Sequence, residues 1–283
     1  MFFVKMQGIG NDFIMVNCLG KEGAALNEEV QQRAALLCDR KFGIGGDGVI
    51  TVLSGDAAPF RMRMYNPDGS EAEMCGNGIR CFAKYVYDRG LSHGESDLPV
   101  ETGAGLLRVQ AQLGGDGKVA TVRVDMGEPV LTPALVPTTL GPGAAPVINL
   151  PILVGDQMIN ITAVSMGNPH AVIFVDSVAT YPVSTVGPIV EVHPAFPKRT
   201  NTEFIEVLSP SEINFRVWER GAAETLACGT GACGAVVACV LNGKTGREVL
   251  VHLPGGDLQI VWSEADNHVY MTGPAADVFE GEI

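Results

Sequence analysis

The chain has 283 residues, long enough for two domains with separate cores. Hydrophobic residues make up 46% and charged ones 18%, a globular composition that excludes a disordered or collagen-like polymer. Nineteen basic residues against 32 acidic ones leave a net charge of −13, and no lysine or arginine cluster interrupts it. Phosphate neutralisation needs concentrated positive charge, so a nucleic-acid-binding surface is not expected.

In chain order, strands are predicted at Phe2–Met6, Phe13–Asn17, Gly48–Leu53, Phe60–Tyr65 and Lys118–Met126. The second half predicts Ala171–Val175, Phe204–Val207, Ile213–Glu219, Val249–Leu253 and Leu258–Trp262. Helices are predicted at Asn27–Asp39 with Asn27 as cap, at Gly76–Arg89 and at Gly229–Asn242. The last two end at Gly90 and Gly243. Pro129–Pro151 reads as a proline-rich linker with edge structure. Short strands around one mostly apolar helix per half indicate an α+β fold and not a doubly wound sheet.

No signal peptide and no membrane span is expected. Pro129–Gly155 is uncharged but contains six prolines, and Thr225–Gly243 is rich in Gly, Ala and Cys and reads as a buried helix. Seven cysteines without a secretory context read as reduced thiols of a cytoplasmic protein. There is no Cys-x-x-Cys pair, and the five histidines are scattered, so no metal site is expected. Gly43-Ile44-Gly45-Gly46-Asp47-Gly48 is neither a dinucleotide fingerprint nor a phosphate loop.

The chain also echoes itself. Tyr65 precedes Cys75-Gly76-Asn77-Gly78 by ten positions, and Trp218 precedes Cys228-Gly229-Thr230-Gly231 by the same ten, an offset of 153. Gly10-Asn11-Asp12-Phe13 finds a counterpart in Gly167-Asn168-Pro169-His170 at an offset of 157. Two ordered matches at nearly one offset indicate a duplicated unit. Each half therefore places a cysteine at the start of a glycine-opened helix, where unpaired N–H groups and the helix dipole favour an anion. Such a thiol is expected to have a lowered pKa, and the same amides can cradle a substrate carboxylate. The plain alternative is that cysteines are small buried hydrophobes, which suffices for Cys18, Cys38, Cys81, Cys233 and Cys239. His170 alone can be a satisfied loop histidine, and Glu219-Arg220 alone a surface ion pair.

Taken together, these segments resemble the diaminopimelate epimerase family, within the two-cysteine epimerases and racemases that use no cofactor. The resemblance runs from Met6-Gln7-Gly8-Ile9-Gly10-Asn11-Asp12-Phe13 through Asn66-Pro67-Asp68-Gly69-Ser70, Met74–Cys81, Ser165–His170, Glu219-Arg220-Gly221 and Ala227–Gly231 to Met271–Pro274. It implies two pseudo-symmetric domains, each a barrel-like mixed sheet wrapped around a central helix. Residues 1–128 would form the first, with 270–283 returning to it, and 129–269 the second, the active site lying in the cleft between them. It further implies inversion at one α-carbon of diaminopimelate, with Cys75 and Cys228 as the acid/base pair. His170 and Glu219 would tune their protonation. Asn11, Asn66, Asn168, Asn201, Glu219 and Arg220 would bind substrate polar groups, and Gly76, Asn77, Gly229 and Thr230 would hold the reacting carboxylate. No cofactor, metal, membrane or nucleic acid is implied, and related proteins point to a homodimer. Some members carry a substrate-contacting glutamine where this chain has Gly48, a departure that leaves that contact in doubt. Proline-type racemases, which typically read Cys-Gly-His-Gly at the first loop, remain an alternative, as does a binding protein without catalysis. Thiol–disulfide exchange is weakened by the missing Cys-x-x-Cys.

Overall fold

The computed structural model describes residues 1–141 and 143–283; Pro142, inside the predicted linker, lies outside the described residues. The chain divides into two compact units, Met1–Asp125 with Thr272–Ile283, and Met126–Met271.

In the first unit, β1 (Phe2–Gly8) and β2 (Asn11–Asn17) form an antiparallel hairpin turned by Ile9-Gly10, both at positive φ. Helix α1 (Gly23–Cys38) then crosses over to β3 (Gly48–Ser54), which lies parallel to β2. Next come β4 (Phe60–Tyr65), β5 (Glu71–Ala72) and helix α2 (Gly76–Asp88). The sheet continues with β6 (Asp97–Thr102), parallel to β4, then β7 (Gly105–Leu113) and β8 (Val119–Asp125). Every residue of α2 from Gly76 to Val86 is buried, Asn77, Arg80 and Lys84 included, so the strands wrap the helix on nearly all sides.

The second unit repeats this order. Strands β9 (Leu150–Val154) and β10 (Gln157–Ser165) pair antiparallel, and β10 pairs in turn with β11 (Pro169–Phe174) across the turn at Gly167, φ +91°. Helix α3 (Val183–Glu191) crosses over to β12 (Asn201–Ser209), parallel to β11. Then follow β13 (Glu212–Glu219), β14 (Ala223–Thr225), the buried helix α4 (Gly229–Leu241), β15 (Glu248–Leu253) parallel to β13, and β16 (Gly256–Trp262). The chain ends with β17 (Val269–Pro274) and β18 (Ala276–Glu282), the latter pairing antiparallel with β1. The inferred duplication is thus visible strand by strand: hairpin, crossover helix, parallel strand, antiparallel return, cysteine, central helix. The fold is α+β, one barrel-like mixed sheet around one central helix in each unit.

The structure corrects the start of α1. The helix begins at Gly23, with no side-chain cap at Glu22, four residues before the predicted Asn27. Asn27 is instead buried inside it, where its Oδ1 accepts from Thr51 Oγ1 at 2.8 Å and Tyr65 Oη at 3.0 Å. The reading as a cap failed because this asparagine serves tertiary hydrogen bonds and not its own helix end. The predicted linker also holds β9's first residues, since Pro151 lies within a two-strand pairing with β10.

Candidate active site

Cys75 is the N-cap of α2 in extended conformation, and Cys228 holds the same place on α4. The second glycine of each Cys-Gly-x-Gly has a packing reason. A Cβ on Gly78 would sit 2.8 Å from Ile50 Cδ1 and 3.3 Å from Cys75 Cβ. A Cβ on Gly231 would sit 2.9 Å from Glu203 Oε1 and 3.2 Å from Cys228 Sγ. A side chain at either position would press on these groups, so glycine lets the first helical turn lie close against them.

Around Cys75, donors and acceptors are fixed in sequence. Gly78 N donates to Cys75 Sγ at 3.4 Å, and the thiol donates to Asn11 Oδ1 at 3.7 Å. Asn77 Nδ2 also donates to Asn11 Oδ1, at 3.3 Å, while Asn77 Oδ1 accepts from Arg80 Nη1 at 3.0 Å. The other end of Asn11 is held by Asp47, whose Oδ2 accepts from Nδ2 at 2.5 Å and from Asp12 N at 3.1 Å. Arginine only donates and an ionised carboxylate only accepts, so Arg80 and Asp47 together dictate which way both amides face. Arg40 bridges Asp12 and Asp47, and Lys5 pairs with Asp12 at 2.7 Å. Burial works against the Asp12 charge, but the hydrogen bonds from Arg40 and Lys5 outweigh it and hold its carboxyl well below the usual range. Asp47 and Arg80 were not singled out from the sequence; Asp47 is hidden in a glycine-rich loop that reads as a turn.

Asn66 opens the turn after β4 and donates to Ser70 Oγ at 3.0 Å. Gly48 is tightly packed: a Cβ there would meet Met64 Cε at 2.8 Å and Tyr65 O at 3.0 Å, so a side chain needs both to give way. The missing glutamine thus coincides with close packing by Met64 and Tyr65.

In the second unit, Cys228 is buried, with Sγ 3.6 Å from Thr230 Oγ1. Its thiol pKa lies well above the ordinary value, which reverses the expectation from the helix start. Burial is the main cause, the Glu219 and Glu203 charges add to it, and the Thr230 hydroxyl and Gly231 N–H only partly oppose it. Glu219, at the end of β13, accepts from Thr225 Oγ1. Arg220 is not its ion-pair partner: Nη1 donates to Lys198 O at 3.1 Å and its backbone N to Asn201 Oδ1 at 2.9 Å. Asn201 Nδ2 donates to Pro169 O, so this side chain links the Arg220 loop to β11.

His170 and Asn201 are register partners on β11 and β12. His170 is fully buried, with Nδ1 2.6 Å from Glu203 Oε1 and Nε2 2.9 Å from Asn168 Oδ1. The sequence reading named His170 and Asn168 but missed Glu203, which stood one residue before a predicted strand and looked like an ordinary surface charge. Among the described residues, no group of three or more His, Cys, Asp or Glu is placed to hold a metal ion, and no helix is long and apolar enough to cross a membrane.

Comparison with known proteins agrees with this geometry. The family model for diaminopimelate epimerase matches residues 3–132 and 162–278. The diaminopimelate epimerase of Moorella thermoacetica is 56% identical over 283 residues, covering 100% of this chain and 99% of the relative. That of Methanococcus maripaludis is 50% identical over 283 residues, with 100% and 99% covered. Among solved structures, a phenazine biosynthesis protein of the PhzF family from Bacillus anthracis aligns with TM-score 0.70 at 18% identity, covering 100% of this chain and 98% of that one. A hydroxyproline epimerase from Agrobacterium vitis aligns with TM-score 0.71 at 15% identity, covering 100% and 90%. These last two share the fold. By the family match and by identity over its full length, the chain belongs to the diaminopimelate epimerase family, and it is an isomerase.

Proposed function

We propose that the protein interconverts L,L- and meso-diaminopimelate by a two-base proton transfer that uses no cofactor. The single observation that carries this reading is the pair of cysteines, Cys75 and Cys228, capping equivalent buried helices in two copies of one supersecondary unit. One thiolate removes the α-proton while the other thiol delivers a proton to the opposite face. An α-proton next to a carboxylate is weakly acidic, and fixed amide donors at the two helix starts lower the barrier by stabilising developing charge on that carboxylate. Gly76, Asn77, Gly229 and Thr230 supply these donors. Asn11, Asn66, Asn168, Asn201, Glu219 and Arg220 bind the remaining polar groups. A cytoplasmic location and a homodimer complete the reading, consistent with the reduced cysteines and with related proteins.

The Asn77 side chain favours the open-chain substrate over proline. It stands where the proline-type racemases typically carry histidine, and both ends of its amide are engaged, with Arg80 and Asn11. The test is direct. Dialysed protein without added cofactor should convert L,L-diaminopimelate to the meso form in deuterated water with label at the α-carbon. Activity that appears only after a pyridoxal or nicotinamide cofactor is supplied contradicts the reading.

A further inference from the structure

Glu203 is a carboxylate for which neither the fold nor the substrate reading supplies a reason. It sits in the middle of β12, flanked in register by Val172 of β11 and Val217 of β13, a position where the neighbours call for an aliphatic side chain. It is fully buried. Its Oε1 takes the hydrogen bond with His170 Nδ1, and its Oε2 has no hydrogen-bond partner among the described residues. Buried carboxyl groups left half-satisfied are costly and are retained where they do chemistry.

The second observation is its place beside the thiol. Both Glu203 Oε1 and Cys228 Sγ close on the missing side chain of Gly231, at 2.9 Å and 3.2 Å from where its Cβ would be. The titratable and charged groups facing this spot are His170 from β11, Glu219 from β13, and Cys228 itself, with the Thr230 hydroxyl at the start of α4. We propose that Glu203 is a positioning residue for the epimerisation: it clamps His170 through Nδ1 and faces Cys228 across Gly231, biasing that thiol toward the proton-donating half of the exchange. Burial pushes the Glu203 carboxyl up and the contact with His170 pulls it back. The two sulfurs then enter the cycle unequally. In the direction in which Cys75 is the base, Cys228 is thus poised as the acid; in the reverse direction it must give up its proton against the Glu203 charge.

The inference rests on the proposed function only for naming the reaction, and its test needs no substrate. A thiolate, not a thiol, is alkylated by iodoacetamide, so the alkylation rate read against pH reports the state of Cys228. Mass spectrometry would follow Cys228 and the buried Cys239 of the same helix in wild type and Glu203→Gln. Removing the charge should move the Cys228 curve about one pH unit lower, about tenfold faster alkylation at fixed pH, with Cys239 unchanged. Superimposable Cys228 curves overturn the proposal. So does equal acceleration of Cys239, which marks a loosened helix. Should Glu203→Gln fail to fold, Glu203→Leu removes the charge without leaving a buried amide to satisfy, and the same outcomes apply. If the curve moves as expected but diaminopimelate is not turned over, the proposed function fails and the control of the thiol stands.

Discussion

At the scale of single residues, the two cysteines differ in what surrounds them. Cys75 is half-buried, with Gly78 N donating to its sulfur and Asn11 Oδ1 accepting from it. Cys228 is buried among carboxylates that raise it. The orientation of Asn11 is decided by Asp47, an unremarked member of a glycine-rich loop. Without Asp47, the Asn11 amide is free to turn its nitrogen toward the sulfur. Asp47→Ala should lower turnover about ten- to a hundredfold, the equivalent of a hydrogen bond to a charged group worth about 1.5–3 kcal/mol. Steady-state kinetics check this, and a kcat within about twofold of wild type contradicts the orienting role. Cys75, Cys228 and His170 were legible because repetition singled them out. Asp47 and Glu203 were not, because their roles depend on partners 36 and 33 positions away, which no local pattern announces; Arg80 reaches Asn77 within its own helix but reads as an ordinary helical charge.

At the scale of elements, the central helices were legible to within one residue at their C-terminal ends. A cysteine-glycine start and a C-terminal glycine, Gly90 at φ +70° and Gly243 at φ +64°, bound each of them. Helix α3 was missed because Gly187 and Pro188 lie inside it, residues that argue against a helix on propensity. Gly187 is there for closeness: a Cβ would come within 2.4 Å of Trp218 Cβ. The hairpin of β6 and β7 was missed because its strands alternate charges, proline and exposed leucines, without an apolar run. The same close-packing logic gives a test of α4. Gly231→Ala would wedge a methyl group between Glu203 and Cys228, and overpacking of this kind costs about 1–3 kcal/mol. Denaturant unfolding should register that loss together with a fall in turnover. An unchanged midpoint with full activity would mean that the first turn has slack.

At the scale of the whole molecule, the thiols set the alkaline limit of stability. Burial raises Cys18 and Cys38 to about 11 and Cys81 and Cys239 to about 12, and lifts Cys228 well above its ordinary value of 9.0. For a group raised in the folded state, the folded form binds the proton more tightly, so its stabilisation is complete below the unfolded value and is lost as pH rises through the folded one. Thermal unfolding under reducing conditions should therefore hold steady up to about pH 9 and fall progressively above it. A midpoint that rises across that alkaline range would contradict the burial of these thiols. On the acid side, Asp12 works in the opposite sense: its stabilisation is present above its ordinary value and fades as pH drops below it.

Duplication gives the molecule two copies of one unit, each with a cysteine at the same helix start, and in the proposed reaction each copy supplies one base. A diaminopimelate analogue with a halogen beside the α-carbon reports a single proton abstraction, because elimination follows without reprotonation. The measurement is elimination from each stereoisomer of this analogue by Cys75→Ser and Cys228→Ser, neither of which should epimerise diaminopimelate, since a hydroxyl is a far weaker acid than a thiol and a poor base near neutral pH. Each variant should process one stereoisomer and leave the other almost untouched, with the preference reversed between the two variants. If both variants treat both stereoisomers alike, or if either still epimerises diaminopimelate at the wild-type rate, the assignment of one thiol to each half is wrong.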